Sequence, residues 1–153
     1  MSSRDRVRMS EDEVAAFLAD HLKVQVASIG REGVPHLTTL FYVLLDGRIA
    51  FWTYGRSQKI RNLERDPRVS ALVEDGTAYA ELRGVSISGR ADLVRDPDLV
   101  REIGLAVAVR MVGARTADDL GELGRDVVEQ QVPKRVGVLV HPDRVASWDH
   151  SKI

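Results

Sequence analysis

Apolar and polar residues alternate with the two-residue period of β-strands over most of the chain. Two pairs of these segments are joined by Asp46-Gly47 and Asp75-Gly76, dipeptides that favour two-residue hairpin turns. Hairpins dominate, so we expect the strands to be antiparallel. The pattern predicts strands at residues 24–28, 34–45, 48–53, 69–73, 79–83, 85–94, 136–140 and 145–148.

Helical patterns interrupt the strands at four places. Ser10 and Glu13 form a capping box that opens a helix ending near His21. A short basic helix follows Gly55. Asp96-Pro97 begins a third helix, because proline suits the first helical position, and residues 116–119 open a fourth that ends before Pro133.

Six to eight strands with a few helices predict an α+β fold: an antiparallel barrel with helices packed outside it. The 153 residues favour one domain, residues 1–153, with a flexible segment at residues 1–9.

Composition narrows the possible partners. The formal net charge is -1, which argues against a general nucleic-acid or membrane-surface binder. The chain has no cysteine, so disulfides, thiolate nucleophiles and cysteine-bound metals are excluded. Residues 1–9 are polar and no apolar segment follows them. We therefore expect no signal peptide and a cytoplasmic location.

Residues 52–63 carry the most informative chemistry. An apolar strand runs into a turn at Gly55, and the turn opens a helix that holds Lys59, Arg61 and Asn62, with Arg56 and Ser57 just before it. The start of a helix carries unpaired N–H groups and the positive end of the helix dipole, and it binds anions readily. On spacing alone, a solvated basic helix face remains the alternative.

Other motifs are absent or uninformative. His21, His36, His141 and His150 show no metal-ligand spacing, and we expect no metal. Neither a G-x-S-x-G nucleophile elbow nor a G-x-G-x-x-G dinucleotide motif occurs. The carboxylates are scattered and indicate no acid/base pair. Catalytic side chains therefore stay unassigned.

Four segments resemble one family: residues 33–40 (GVPHLTTL), 52–63, 63–70 (LERDPRVS) and 145–153 (VASWDHSKI). Together they resemble, in order and over nearly the whole chain, the split β-barrel flavin-binding superfamily that includes pyridoxamine 5′-phosphate oxidase. Within it the chain is most similar to the actinobacterial B-type flavin/deazaflavin oxidoreductases. The resemblance implies a homodimer of split barrels with two cofactor sites at the subunit interface.

The resemblance also implies roles for individual residues. It places Thr38 and Thr39 near the isoalloxazine ring, and Trp52 and Thr53 beside the ring or the ribityl chain. Trp148 would approach from the partner chain, or serve as an interface or core aromatic. The positions that match the family's phosphate site are Arg56, Ser57, Lys59 and Asn62.

The implied function is that of an oxidoreductase that transfers a hydride from the reduced deazaflavin coenzyme F420 to a small conjugated or imine-type substrate. The basic residues suit the anionic tail of F420. Two alternatives stay open: an FMN-dependent oxidase or reductase, and a non-catalytic protein that binds flavin, deazaflavin or haem. No nucleic acid or membrane is expected as a partner.

Overall fold

The computed structural model describes all residues, 1–153, and contains one curled antiparallel sheet of seven strands. The strand count and the α+β class agree with the prediction. The strands lie side by side in the order β2-β1-β5-β6-β7-β4-β3. They are β1 Lys23–Ile29, β2 Pro35–Phe41, β3 Val43–Leu45, β4 Arg48–Tyr54, β5 Arg68–Asp75, β6 Arg83–Val94 and β7 Arg135–Asp149.

Five α-helices pack around this half-barrel. They are α1 Ser3–Val7, α2 Glu11–Asp20, α3 Gln58–Arg65, α4 Pro97–Val112 and α5 Gly121–Gln131. The capping box of Ser10 and Glu13 is present at the start of α2, and Pro97 is the first residue of α4, as predicted. No helix is both long enough and apolar enough to cross a membrane.

The prediction of one long strand at residues 34–45 is wrong in one respect, because the strand is interrupted at Tyr42. The two pieces, β2 and β3, form opposite edges of the sheet. Tyr42 is fully buried, and its hydroxyl donates to the carbonyl of Leu18 while its N–H donates to the carbonyl of Leu22. These bonds hold the chain where it leaves one edge and crosses to the other.

The two predicted hairpins have different outcomes. Asp46 and Gly47 have φ angles of 50° and 76° and join β3 to β4 in a two-residue turn, as predicted. At Asp75-Gly76 a hairpin is present, since β5 and β6 are antiparallel and Asp75 pairs with Arg83, but the predicted two-residue turn is wrong. After Asp75 the chain runs through a 3₁₀ turn at Tyr79–Glu81, which was predicted as strand, before β6 begins.

Two predicted strand breaks are also wrong. Gly84 does not interrupt a strand, because it lies inside β6 opposite Trp148 of β7. The last two predicted strands are one strand, β7. The ladder between β6 and β7 shifts register between Ser88 and Gly89, which accommodates an extra residue at Asp143 and lets the pairing continue.

The main hydrophobic core fills the half-barrel and extends from Met9 to Val140. A second, smaller core lies between β4 and α4 and includes Ala50, Ile103 and Val107. At the N-terminus, the side chains of Val7 and Met9 are buried. The flexibility expected for residues 1–9 stays a prediction.

Candidate functional site

The start of α3 is built by a tight turn at the end of β4. The N–H of Gly55 donates to the carbonyl of Lys134 over 2.9 Å, and the N–H of Ser57 donates to the carbonyl of Tyr54 over 2.9 Å. The hydroxyl of Ser57 then caps the helix by accepting the N–H of Ile60. The strand, turn and helix predicted from residues 52–63 are all present.

Lys59 is the second residue of α3 and is half-buried. It forms no ion pair, although this burial withdraws part of the side chain from water. Burial lowers the pKa of Lys59, because a desolvated ammonium group is less stable than one in water. Arg56, in the turn before the helix, is exposed and also has no acidic partner. The start of α3 therefore presents two uncompensated cations.

Asn62 does not face the same side. It is fully buried, and its amide nitrogen donates to the hydroxyl of Ser28 over 3.0 Å. Its carbonyl oxygen accepts hydrogen bonds from Gln58 and Arg65 over 2.8 and 3.2 Å. Because both polar atoms of its side chain are engaged, Asn62 attaches α3 to β1, and its contact with a ligand stays a prediction.

A second basic feature lies beside the helix. A polar cavity of about 480 Å³, here called the arginine cleft, is lined by Arg31, Gln58, Arg61 and Arg65. Arg65 is held in place by hydrogen bonds to the carbonyl of Ile29 and to Asn62. No acidic residue lines this cleft.

The sequence reading named Arg61 but missed the rest of the arginine cleft. Gln58, Arg61 and Arg65 have the three- and four-residue spacing that places side chains on one helical face, so this part of the signal was available. Arg31 comes from the turn before β2, and only the folded chain brings it to the helix.

The two threonines of β2 point to opposite faces of the sheet. Thr38 pairs with the buried Val26, whereas the exposed Thr39 pairs with Gln25. The hydroxyl oxygen of Thr38 and the Nδ1 atom of His36 are buried without any hydrogen-bond partner. Unpaired buried polar atoms are uncommon and call for an explanation, such as a ligand. His36 was not singled out from the sequence.

Trp52 and Thr53 also face opposite sides. Trp52 packs under α4, where a Cβ atom on Gly104 would come within 2.4 Å of its ring. The guanidinium of Arg135 lies 5.1 Å from the centre of the same ring. Thr53 is buried opposite Val136 of β7. Both side chains are therefore packed against the protein itself.

Trp148 lies far along β7 from the start of α3. Arg135, at the beginning of β7, pairs with Tyr54, and α3 follows shortly after Tyr54. Trp148 is 13 residues further along β7 and pairs with Gly84. That separation is roughly 40 Å of extended strand. The structure does not bring Trp148 to the start of α3 within one chain.

The sequence and the curled sheet with its basic helix are similar to known proteins. Residues 10–149 match the family model described as pyridoxamine 5'-phosphate oxidase. The chain belongs to the pyridoxamine 5′-phosphate oxidase family. No curated protein sequence matches it.

Solved structures place the chain among varied proteins of this family's fold. The conserved hypothetical protein Rv2991 from Mycobacterium tuberculosis is 42% identical, with a TM-score of 0.89 over 99% of this chain and 92% of that one. The haem storage protein HutZ from Vibrio cholerae is 19% identical, with a TM-score of 0.65 over 90% and 94% of the two chains. An F420 reductase is 18% identical, with a TM-score of 0.57 over 86% and 94%.

The last two likenesses show the fold alone, because their identities are low. Proteins of this fold are thus described as binding different groups, and membership of the pyridoxamine 5′-phosphate oxidase family does not choose among them. The choice for this chain depends on its own residues around α3 and β2.

Proposed function

We propose that this protein is a B-type, F420-dependent oxidoreductase of the pyridoxamine 5′-phosphate oxidase family. When bound, the reduced coenzyme would supply a hydride to a small conjugated or imine-type substrate. The protein's part is to hold the anionic tail of the coenzyme, fix its ring and exclude water from it.

The observation that carries the proposal is the surplus of unpaired cations around α3. A single phosphate, as in FMN, is satisfied by one or two cations at a helix start, and Lys59 and Arg56 supply these. The arginine cleft adds three guanidinium groups with no acidic residue among them. Such a set suits the tail of F420, which carries several negative charges beyond its first phosphate.

The residues of β2 fit a planar heterocycle with polar edges. The hydroxyl of Thr38 can donate or accept a hydrogen bond, and Nδ1 of His36 lies on the same face of the strand. A ring bound along β2 would supply the partners that these buried atoms lack. We assign Thr38 to ring binding, and leave Thr39, which lies on the other face, to contacts made by a second chain.

The proposed active form is a homodimer. Trp148 lies near the end of β7, whereas Lys59 lies on α3, which follows the strand that pairs with the beginning of β7. A two-fold symmetric dimer lets each chain give its α3 to one site and its Trp148 to the other. Each of the two sites is then complete only when both chains are present.

Turnover tests this function. Reduced F420 is mixed with the protein and a panel of conjugated carbonyl and imine acceptors, and the absorbance of the oxidised coenzyme is followed. We expect oxidation that depends on both protein and acceptor. Binding without turnover for every acceptor would instead favour a carrier, and turnover with reduced FMN alone would favour the flavin alternative.

A further inference from the structure

A large cavity lies at the far end of β7, away from α3. Its volume is about 680 Å³, within the range of small-molecule sites. One wall is α1 with Arg4, and the other is the last part of β7, including Arg144 and Trp148. Tyr79 and His150 close one side. We call it the terminal cavity.

The terminal cavity is cationic. Arg4, Arg8 and Arg144 line it, and no aspartate or glutamate side chain does. Arg4 and Arg144 form no ion pair, while Arg8 lies 3.4 Å from Asp5 in an exposed pair that contributes little. An anion entering this cavity would meet guanidinium groups, whose five N–H donors lie in one plane and can bind a carboxylate through two parallel hydrogen bonds.

The terminal cavity also has flat apolar walls. The ring of Trp148 lies against Gly84 so closely that a Cβ atom there would come within 2.2 Å of it. This contact fixes the ring plane. The rings of Tyr79 and His150 lie 4.6 Å apart, and Tyr79 is 72% exposed, which leaves its face available. Aromatic walls of this kind favour a planar ligand.

The N-terminal wall is attached to β7 by specific bonds. The N–H of Met9 donates to the hydroxyl of Ser147 over 3.1 Å. Lys152 donates to the carbonyl of Arg8 over 2.9 Å and pairs with Glu13 over 2.7 Å. Val7 and Met9 are buried beneath this wall. The chain that follows α1 is therefore fixed against β7, which places Arg4 and Arg8 on the same cavity as the aromatic rings.

We propose that the terminal cavity binds a planar organic anion, an aromatic or conjugated carboxylate. Its flat part stacks on Trp148 and its carboxylate meets Arg4 and Arg144. In the proposed dimer, the second chain would bring its Trp148 to the coenzyme ring. If the proposed function holds, the anion bound on Trp148 is therefore the substrate that is reduced. The binding itself does not depend on the coenzyme.

The test compares 4-nitrobenzoate with its neutral isostere 4-nitrobenzamide, without coenzyme. The chain has two tryptophans, so the tryptophan fluorescence of a Trp52→Phe variant reports on Trp148 alone. Calorimetry on the unaltered protein measures the two affinities in parallel. We expect quenching of Trp148 and an affinity about tenfold higher for the acid, the scale of one charge-assisted contact.

The double variant Arg4→Gln, Arg144→Gln should abolish the preference for the acid, whereas Arg90→Gln, an exposed arginine of β6 outside the cavity, should retain it. Equal affinity for acid and amide, absent binding, or a preference that survives the double variant overturns the proposal. F420 binding without 4-nitrobenzoate binding refutes only the terminal cavity, and the reverse result refutes only the proposed function.

Discussion

Lys59 is the residue on which the proposed cofactor site depends most. Its position at the start of α3 follows from local rules, because Ser57 is a strong N-cap and the preceding strand ends at a glycine turn. Its partial burial without an anion could not be read from the sequence. That burial depends on which side of the helix packs on the sheet.

Lys59→Met should weaken cofactor binding by about 1–3 kcal/mol, the range for losing a charge-assisted hydrogen bond. The same change should leave the free energy of unfolding of the free protein unchanged or raise it. The pKa of Lys59 is lower in the folded than in the unfolded chain, so the charged lysine destabilises the folded protein at pH values below its folded pKa. This destabilisation fades as the pH rises towards the pKa of Lys59 in the unfolded chain.

Isothermal titration calorimetry and urea unfolding measure the two effects, with the exposed Lys23→Met as a matched control. An affinity equal to that of the unaltered protein would remove Lys59 from the site.

Replacing Asn62, unlike replacing Lys59, should lower the free energy of unfolding. Asn62→Ala removes hydrogen bonds to Ser28, Gln58 and Arg65 and leaves the buried Ser28 hydroxyl without its partner. We expect a loss of about 1–3 kcal/mol in the free energy of unfolding. Urea unfolding checks this, with the exposed Gln130→Ala as control. Unaltered stability would show that these bonds do not hold α3 to β1.

At the scale of elements, the sequence predicted local turns well and long-range pairings poorly. The Asp46-Gly47 turn forms because two residues suffice to join β3 and β4. At Asp75-Gly76 the same kind of signal predicts the hairpin but not its turn, because the pairing of β5 and β6 ends at Asp75 and Arg83 and seven residues, 76–82, lie between them. The arginine cleft escaped detection for a related reason, since Arg31 reaches α3 only through strand pairing.

Asp75 connects the end of α2 to β5 and β6. Although partial burial raises its pKa, the hydrogen bonds from Arg83 and His21 outweigh this effect and hold the pKa below its usual value. A lowered carboxyl pKa stabilises the fold above the unfolded value, and this stabilisation is lost as the pH falls through the folded value.

Asp75→Asn should therefore lower the urea midpoint at pH 7, and the difference from the unaltered protein should shrink as the pH falls into the acid range where the Asp75 carboxyl becomes protonated. Asp126→Asn, an exposed residue of α5 without an ion pair, serves as the control. A difference that stays constant with pH would mean that the charge of Asp75 does not matter to the connection.

At the scale of the whole molecule, the local pattern predicted the α+β class and an antiparallel barrel, and the resemblance added the split-barrel type, but the order of the strands was not predicted. Nothing in residues 34–45 indicates that the strand breaks at Tyr42 and that its halves form opposite edges of one sheet. The same holds for the long β7. Its length separates Trp148 from α3, which supports the proposed dimer that the resemblance implies.

Mixed dimers test the shared site. If each site takes Lys59 from one chain and Trp148 from the other, Lys59→Ala and Trp148→Ala subunits should each bind cofactor weakly alone. Mixing equal amounts should restore about one quarter of the sites to full affinity, because each random heterodimer has one intact site. Mixing Lys59→Ala with Lys59→Met subunits, which leaves no site intact, is the control. No restoration despite subunit exchange, or a monomer in light scattering that holds cofactor, contradicts the shared site.

The most direct measurement is a paired calorimetric titration of the protein with F420 and with FMN at identical salt. We expect F420 to bind at least about tenfold more tightly than FMN. The advantage should shrink as salt rises, because it comes from several exposed cations around α3, including Arg56 and the arginine cleft. Equal or tighter binding of FMN, or an F420 affinity that does not respond to salt, would contradict the central claim.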